Sequence, residues 1–374
     1  MKKIPIIVSI IFIGQAGYCQ TAKELIAQVL HAQKTLTTVS CTVQRRDTLV
    51  TGDIRTMAGQ VSMRRADSDS IFGFWFWAKQ NGFSEESIYD GSNGFVINHD
   101  MKHYKMTSEK ASLINFLYSN YGGQIVFTDL IKMDTSQNTG FSISQDERYY
   151  YLTKNKPDLK AYDVYKRYTL YTIDKKLMLP VEMQSHQETL GKVQDLHYRA
   201  TDIWINDEKH DYDFAGLRFP ANYQLAPAQA VQQQKTDQLM NKALPPFRLI
   251  SITGEKVSTQ QLYGKVILFD FLEVWCGPCF ESAPKVQALY EKYKTQGLEV
   301  YGISFETKQL DAMRKMVEKF KISFPVLIGN EEVRRNYGVD AIPRYMIINR
   351  DGKVSFIKTG FSEELEKEIV NALK

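Results

Sequence analysis

At 374 residues the chain is too long for one ordinary hydrophobic core, so two domains are expected. An apolar content of 43% and a charged content of 24% are those of a globular protein and exclude a fibrous or disordered chain. The net charge of +4 is mild and no run of Lys and Arg forms a basic stripe, so nucleic acid is not an expected partner.

Lys2 and Lys3 precede the apolar run IPIIVSIIFIG, and QAGYCQTAKE follows. A basic start, a short apolar stretch and then small and polar residues make residues 1–19 a secretory signal in anatomy. About ten apolar residues fall well short of the roughly 20 that a membrane-spanning helix needs. A buried first strand or helix is the competing reading of the run. Cleavage before Gln20 leaves Gly17 and Cys19 at the recognition positions. Acylation of Cys19 would normally require a small residue before it, and Tyr18 is large. The mature chain is therefore expected in the periplasm or cell envelope, soluble rather than lipid-anchored. It would carry Cys41, Cys276 and Cys279, an odd number that leaves one thiol outside any intramolecular bridge.

Beyond the signal, Leu25, Ile26, Val29 and Leu30 recur at helical spacing. Short aromatic or β-branched segments follow, among them CTVQRRDTLV, IFGFWFWAKQ, GFVINHDMKHYKM, RYYYLTK and YKRYTLYTID, separated by turn signals such as YDGSNG and KNKPD. The expectation over residues 20–225 is a large, mainly antiparallel sheet with one helix. Ile71 to Trp77 is so apolar that both sheet faces there should be covered, or one should line a cavity. Residues 226–243, rich in Ala and Gln and ending near Pro245 and Pro246, read as a linker. From 244 to 374 strands and helices alternate, beginning with the continuous apolar strand KVILFDF and ending with a hairpin and a helix. That order predicts an α/β domain with a mixed sheet. Leu310, Met313, Val317 and Phe320 are expected on the buried face of one of its helices.

Cys276 and Cys279, in VWCGPCFESAP, admit three chemistries. A zinc site needs about four ligands, the pair supplies two, and the nearest histidine in sequence, His210, falls in the other domain. No metal is expected. A structural disulfide over so short a loop constrains the unfolded chain little. A redox pair fits the local physics: the motif follows a buried strand and opens a helix, where unpaired N–H groups and the helix dipole stabilise a Cys276 thiolate. Gly277 and Pro278 hold the sulfurs close, and Pro278 costs no helical hydrogen bond in a first turn.

The stretch DFLEVWCGPC resembles the active site of thioredoxins, and residues 244–374 resemble the exported thioredoxin-like reductases of the TlpA/ResA group. ALPPFRLISITGEKVSTQQLYGKVILFDF matches that group's lead-in, and GVDAIPRYMIINRDGKV a later segment. The resemblance implies that Cys276 attacks, that Cys279 resolves the mixed disulfide, and that Trp275 flanks the site. It implies a cis peptide bond before Pro343, with the Ile342 backbone pairing with a substrate strand. It also matches Asp270 to a buried carboxyl that handles the resolving cysteine's proton. Two positions depart from the exported relatives. Ser282 stands where they often carry glutamate, with Glu281 displaced by about 100° on the helix. Arg344 follows the proline, either as a cation that favours thiolates or as a residue facing solvent.

SIYDGSNGFVINHDMKHYKM and DKKLMLPVEMQSHQETLGKVQDLHY, after an amphipathic helix, resemble LolA-like lipoprotein-carrier domains with a curved sheet. That resemblance implies a lipid or acyl chain as a candidate ligand, near Phe72, Phe74, Trp75, Phe76 and Trp77; ordinary core filling is the alternative. Cys41 reads as a buried, inert thiol. The expected function is an exported thiol–disulfide oxidoreductase that reduces envelope proteins. Its partners would be protein thiols and disulfides, with a membrane thiol reductant as candidate donor and no cofactor. A lipid or lipoprotein carrier with an accessory redox domain is the alternative, and a thiol peroxidase the second.

Overall fold

The computed structural model describes residues 20–136, 140–214, 222–226 and 239–374. The signal segment with Cys19, and most of the expected linker, lie outside these residues.

Helix α1 (Ala22–Lys34) opens with a capping box. The Thr21 side chain accepts from Glu24 N–H, and the Glu24 carboxylate accepts from Thr21 N–H. Leu25, Val29 and Gln33, spaced by one helical turn, are its buried face. Gln33 donates to the Asp129 carbonyl at 2.7 Å and accepts from Met133 N–H at 3.1 Å, so its buried amide is paired.

The strands after α1 are β1 (Thr38–Thr48), β2 (Ile54–Arg65), β3 (Phe74–Gln80), β4 (Glu85–Tyr89), β5 (Gly94–Asn98) and β6 (His103–Thr107). Three short helical turns between Lys110 and Gln124 separate them from β7 (Gly140–Gln145), β8 (Tyr149–Asn155), β9 (Val164–Asp174), β10 (Leu179–Thr189), β11 (Lys192–Ile205) and the two-residue β12 (Gln224–Leu225). All form one twelve-stranded sheet in the order β12-β6-β5-β4-β3-β2-β1-β11-β10-β9-β8-β7. Every pairing is antiparallel except β12 with β6.

The aromatic run of β3 shows why both faces need cover. Phe74, Phe76 and Ala78 alternate into the main core, where Phe76 lies 6.0 Å from Phe116 and 6.1 Å from Tyr89 between ring centres. Trp75 and Trp77 point the other way and meet Phe214 and Tyr212, the latter stacked at 5.3 Å. Phe74 and Phe76 therefore fill the core.

The second unit holds β13 (Arg248–Ser251), β14 (Lys256–Ser258), β15 (Val266–Phe271), helix α2 (Gly277–Tyr293), β16 (Leu298–Ser304), helix α3 (Leu310–Lys319), β17 (Val326–Ile328), helix α4 (Glu331–Asn336), β18 (Arg344–Ile348), β19 (Val354–Thr359) and helix α5 (Glu364–Leu373). Its sheet runs β14-β13-β17-β16-β15-β18-β19, with β15, β16 and β17 parallel and β18 antiparallel to β15. All six positions of β15 are buried, as its unbroken apolar run requires in a sheet covered on both faces. Leu239 and Met240, within the expected linker, pack on this unit's core.

Helix α3 buries Ala312, Met313 and Met316. Val317 and Phe320 are half-buried and pack against the same core, Phe320 edge-on to Phe280 at 5.5 Å. The helix and the turn before it also meet the first unit. Lys315 Nζ donates to the Leu190 carbonyl at 3.1 Å, Lys192 and Asp311 pair at 2.7 Å, and Lys308 pairs with Asp53 at 2.6 Å.

Candidate active site

The site is built where β15 ends. Leu272 N–H still donates to the Ile303 carbonyl, and then the chain turns: Cys276 N–H donates to the Glu273 carbonyl at 3.1 Å. Cys276 is the N-cap of α2, in extended backbone at φ −94° and ψ 100°, with Gly277 and Pro278 in the first turn. Cys276 and Cys279 form a disulfide with sulfurs 2.03 Å apart and Cα atoms 5.2 Å apart. The Cys279 N–H donates to Cys276 Sγ at 3.2 Å. Once the bond is reduced, that N–H and the positive end of the helix dipole face the Cys276 sulfur and favour its thiolate. Cys279 and Cys276 are both buried, whereas Trp275 is half exposed at 51% and Gly277 and Pro278 face solvent.

The Ile342–Pro343 peptide bond is cis. Ile342 packs against the same apolar cluster that holds both cysteines, and the Pro343 carbonyl accepts from Gly360 N–H at 2.8 Å.

Asp270 sits inside β15, 2% exposed, with no hydrogen-bond partner for its Oδ1 among the described residues. Burial raises its carboxyl to about 7, so the acid holds or releases a proton near neutrality. Tyr345 is its cross-strand partner on β18. Burial, and then the Asp270 charge, raise the Tyr345 phenol far above its ordinary range, so this neighbour stays protonated. Ser282, which is buried, donates to the Cys279 carbonyl at 3.2 Å. Arg344 is buried, not solvent-facing; it lies in β18 and donates to Thr359 Oγ1 at 3.4 Å, and burial lowers its pKa.

Two neighbours escaped the sequence reading. Glu273 is 4% exposed and accepts from Ser304 Oγ and Phe305 N–H, both at 2.7 Å, thereby fixing the turn that carries Trp275 and Cys276. Burial raises its pKa. Its one signal was a charge inside the apolar stretch FLEVW. Tyr345 had none, because its pairing with Asp270 depends on strand register. Glu281, displaced from the Ser282 position, accepts a 3.2 Å hydrogen bond from Tyr162 of the first unit.

Cys41 is far from this chemistry in kind: 4% exposed, with its thiol pushed up to about 12 by burial. Among the described residues no group of three or more His, Cys, Asp and Glu is placed to hold a metal ion. Among them, too, no helix is long and apolar enough to cross a membrane.

Comparison with known proteins bears on the second unit. Residues 239–373 match the Redoxin family model. The thiol-disulfide oxidoreductase ResA of Bacillus thuringiensis (strain Al Hakam) is 29% identical over 136 residues, which are 36% of this chain and 77% of that protein. ResA of Halalkalibacterium halodurans is 29% identical over 130 residues, 34% of this chain and 73% of its own. Among solved structures, a thioredoxin family thiol:disulfide interchange protein from Chlorobium tepidum TLS is 23% identical. It aligns over 36% of this chain and 97% of its own, with a TM-score of 0.34.

Proposed function

We propose, on the premise that the C-terminal third of the chain is a Redoxin domain of a thioredoxin-like thiol–disulfide oxidoreductase, that the whole protein is an exported reductase of protein disulfides in the cell envelope. In this reading residues 1–19 direct export. Residues 20–225 form a substrate-recruiting domain of LolA-like architecture, and residues 226–243 link it to the redox domain at 244–374.

The single observation that carries the reading is the bonded Cys276–Cys279 pair at a helix N-terminus, in the same unit as a buried carboxyl that titrates near neutrality. In the reduced enzyme the Cys276 thiolate attacks one sulfur of a substrate disulfide and expels the other as a thiolate. A mixed disulfide joins Cys276 to substrate. Asp270 takes the Cys279 proton, and the Cys279 thiolate attacks Cys276 Sγ and releases the second substrate sulfur. Two electrons pass to the substrate, the pair ends as the disulfide seen here, and an envelope thiol reductant restores it. Ile342 and the cis Pro343 offer the edge along which the substrate backbone lies, with Trp275, Gly277 and Pro278 on the other side.

The test is equilibration of the pair with glutathione, followed by trapping. A potential near about −270 mV marks a reductase, and one near about −120 mV an oxidant. Cys279→Ser should accumulate mixed disulfides with envelope proteins. Full disulfide reductase activity in Cys276→Ala would refute the mechanism.

A further inference from the structure

The first unit does more than sit beside the redox domain. The β10–β11 hairpin turns on Leu190 and Gly191 alone, both at positive φ, +51° and +72°. Gly adopts that backbone without penalty, whereas Leu costs roughly 1–2 kcal/mol. Leu190 nevertheless stands there, fully buried in the apolar cluster that contains Cys276, Cys279 and Phe280. The β8–β9 loop is tied as well: Lys319 Nζ donates to the Lys160 carbonyl at 2.8 Å. The hairpin and loop are therefore fastened to the redox domain next to its active helix.

Between these anchors lies a cleft of about 300 Å³. Leu159, Tyr162, Gln187 and Gln194 form the wall from the first unit, and Trp275 and Phe280 line the other side, with Gly277, the residue after Cys276, among them. Its carboxylate, Glu281, is already bonded to the Tyr162 hydroxyl. Gln194 Oε1 accepts from Gln187 Nε2 and from Thr189 Oγ1, both at 2.7 Å, and among the described residues the Gln194 amide N–H groups are left to meet a carbonyl in the cleft.

We infer that this cleft is a specificity subsite that holds the polypeptide segment flanking the attacked disulfide, and that it prefers uncharged, partly apolar side chains. The inference rests on the redox reading above. Three observations select this occupant. Trp275 and Gly277, the residues on either side of Cys276 in the chain, line the cleft, so a segment flanking a disulfide attacked by Cys276 comes within its reach. Its size, at the low end of ligand sites, suits one or two side chains rather than an acyl chain or a folded domain. Its lining is mostly aromatic and aliphatic faces and paired amides, and its carboxylate, Glu281, already accepts from Tyr162; this is the chemistry that meets peptide side chains and carbonyls. Gln194 would take the backbone, with Tyr162 and Trp275 packing on either side of the side chain.

The experiment uses the full chain and two kinds of probe. One is neutral hydroxyethyl disulfide; the other is a set of short cystine peptides flanked by Leu, Lys or Asp. Tyr162→Ala should lower the ratio of kcat/KM for the Leu-flanked peptide to that for hydroxyethyl disulfide about tenfold. Gln194→Glu should raise the preference for the Lys-flanked over the Asp-flanked peptide at least about fivefold, a gain that misfolding does not produce. Ratios within about twofold of the wild type in both variants overturn the inference and leave the redox reading standing. A wild-type chain that reduces neither kind of probe overturns both.

Discussion

Replacing Asp270 by Asn tests whether the buried carboxyl is the proton carrier. Its pKa of about 7 lies some 3 pH units above the ordinary 3.8. At 1.36 kcal/mol per pH unit this corresponds to about 4 kcal/mol of preference for the protonated acid in the folded protein. The unfolded chain loses this proton near pH 4 and the folded chain near pH 7, so between the two the folded state binds more protons. The stabilising contribution is fully present below about pH 4, declines as the pH rises, and is gone above about pH 7. Asn carries no proton to lose. In urea titrations of the two oxidised proteins, the stability of Asp270→Asn minus that of the wild type should therefore rise by about 2–4 kcal/mol from pH 4 to pH 8. Other titrating groups cancel in the difference. Resolution of the mixed disulfide should slow in the variant, most at neutral pH. A stability difference constant within about 0.5 kcal/mol across that range would refute both the raised pKa and the assigned role.

Two other outcomes follow from burial. Cys41, pushed up to about 12 and 4% exposed, should react with iodoacetamide at pH 8 about a thousandfold more slowly than a free thiol until the protein is unfolded in guanidinium; rapid native labelling would contradict its inertness. Leu190→Ala should cost about 2–5 kcal/mol, seen as protease cleavage between the two units at temperatures where the wild type resists; unchanged Tm and protection would show that the hairpin tip does not fasten them.

How far each feature could be read from the chain depended on how local its cause is. The placing of Cys276 and Cys279 at a helix start was legible because strand, turn, Gly-Pro and helix start are consecutive residues, and the helix terminus itself supplies the electrostatics. Asp270 was legible as a carboxyl inside an apolar strand, six residues before Cys276. The contacts of α3 with the first unit were not legible, because Lys315 and Asp311 answer to Leu190 and Lys192, more than a hundred residues away. Arg344 could not be assigned to solvent or interior from its place after Pro343, since only the register of β18 between β15 and β19 decides its surroundings.

By itself, then, the sequence determined a β-rich half, an α/β half and a Cys-Gly-Pro-Cys motif at a helix start, all consequences of periodicity and of contacts within a few residues. The tertiary structure alone decided that Tyr345 stands beside Asp270, that Glu273 locks the turn before Cys276, and that Tyr162 and Gln194 wall a cleft beside Trp275 and Gly277. Those contacts join segments far apart in the chain, and nothing in their local composition records which strand pairs with which or which hairpin tip is buried.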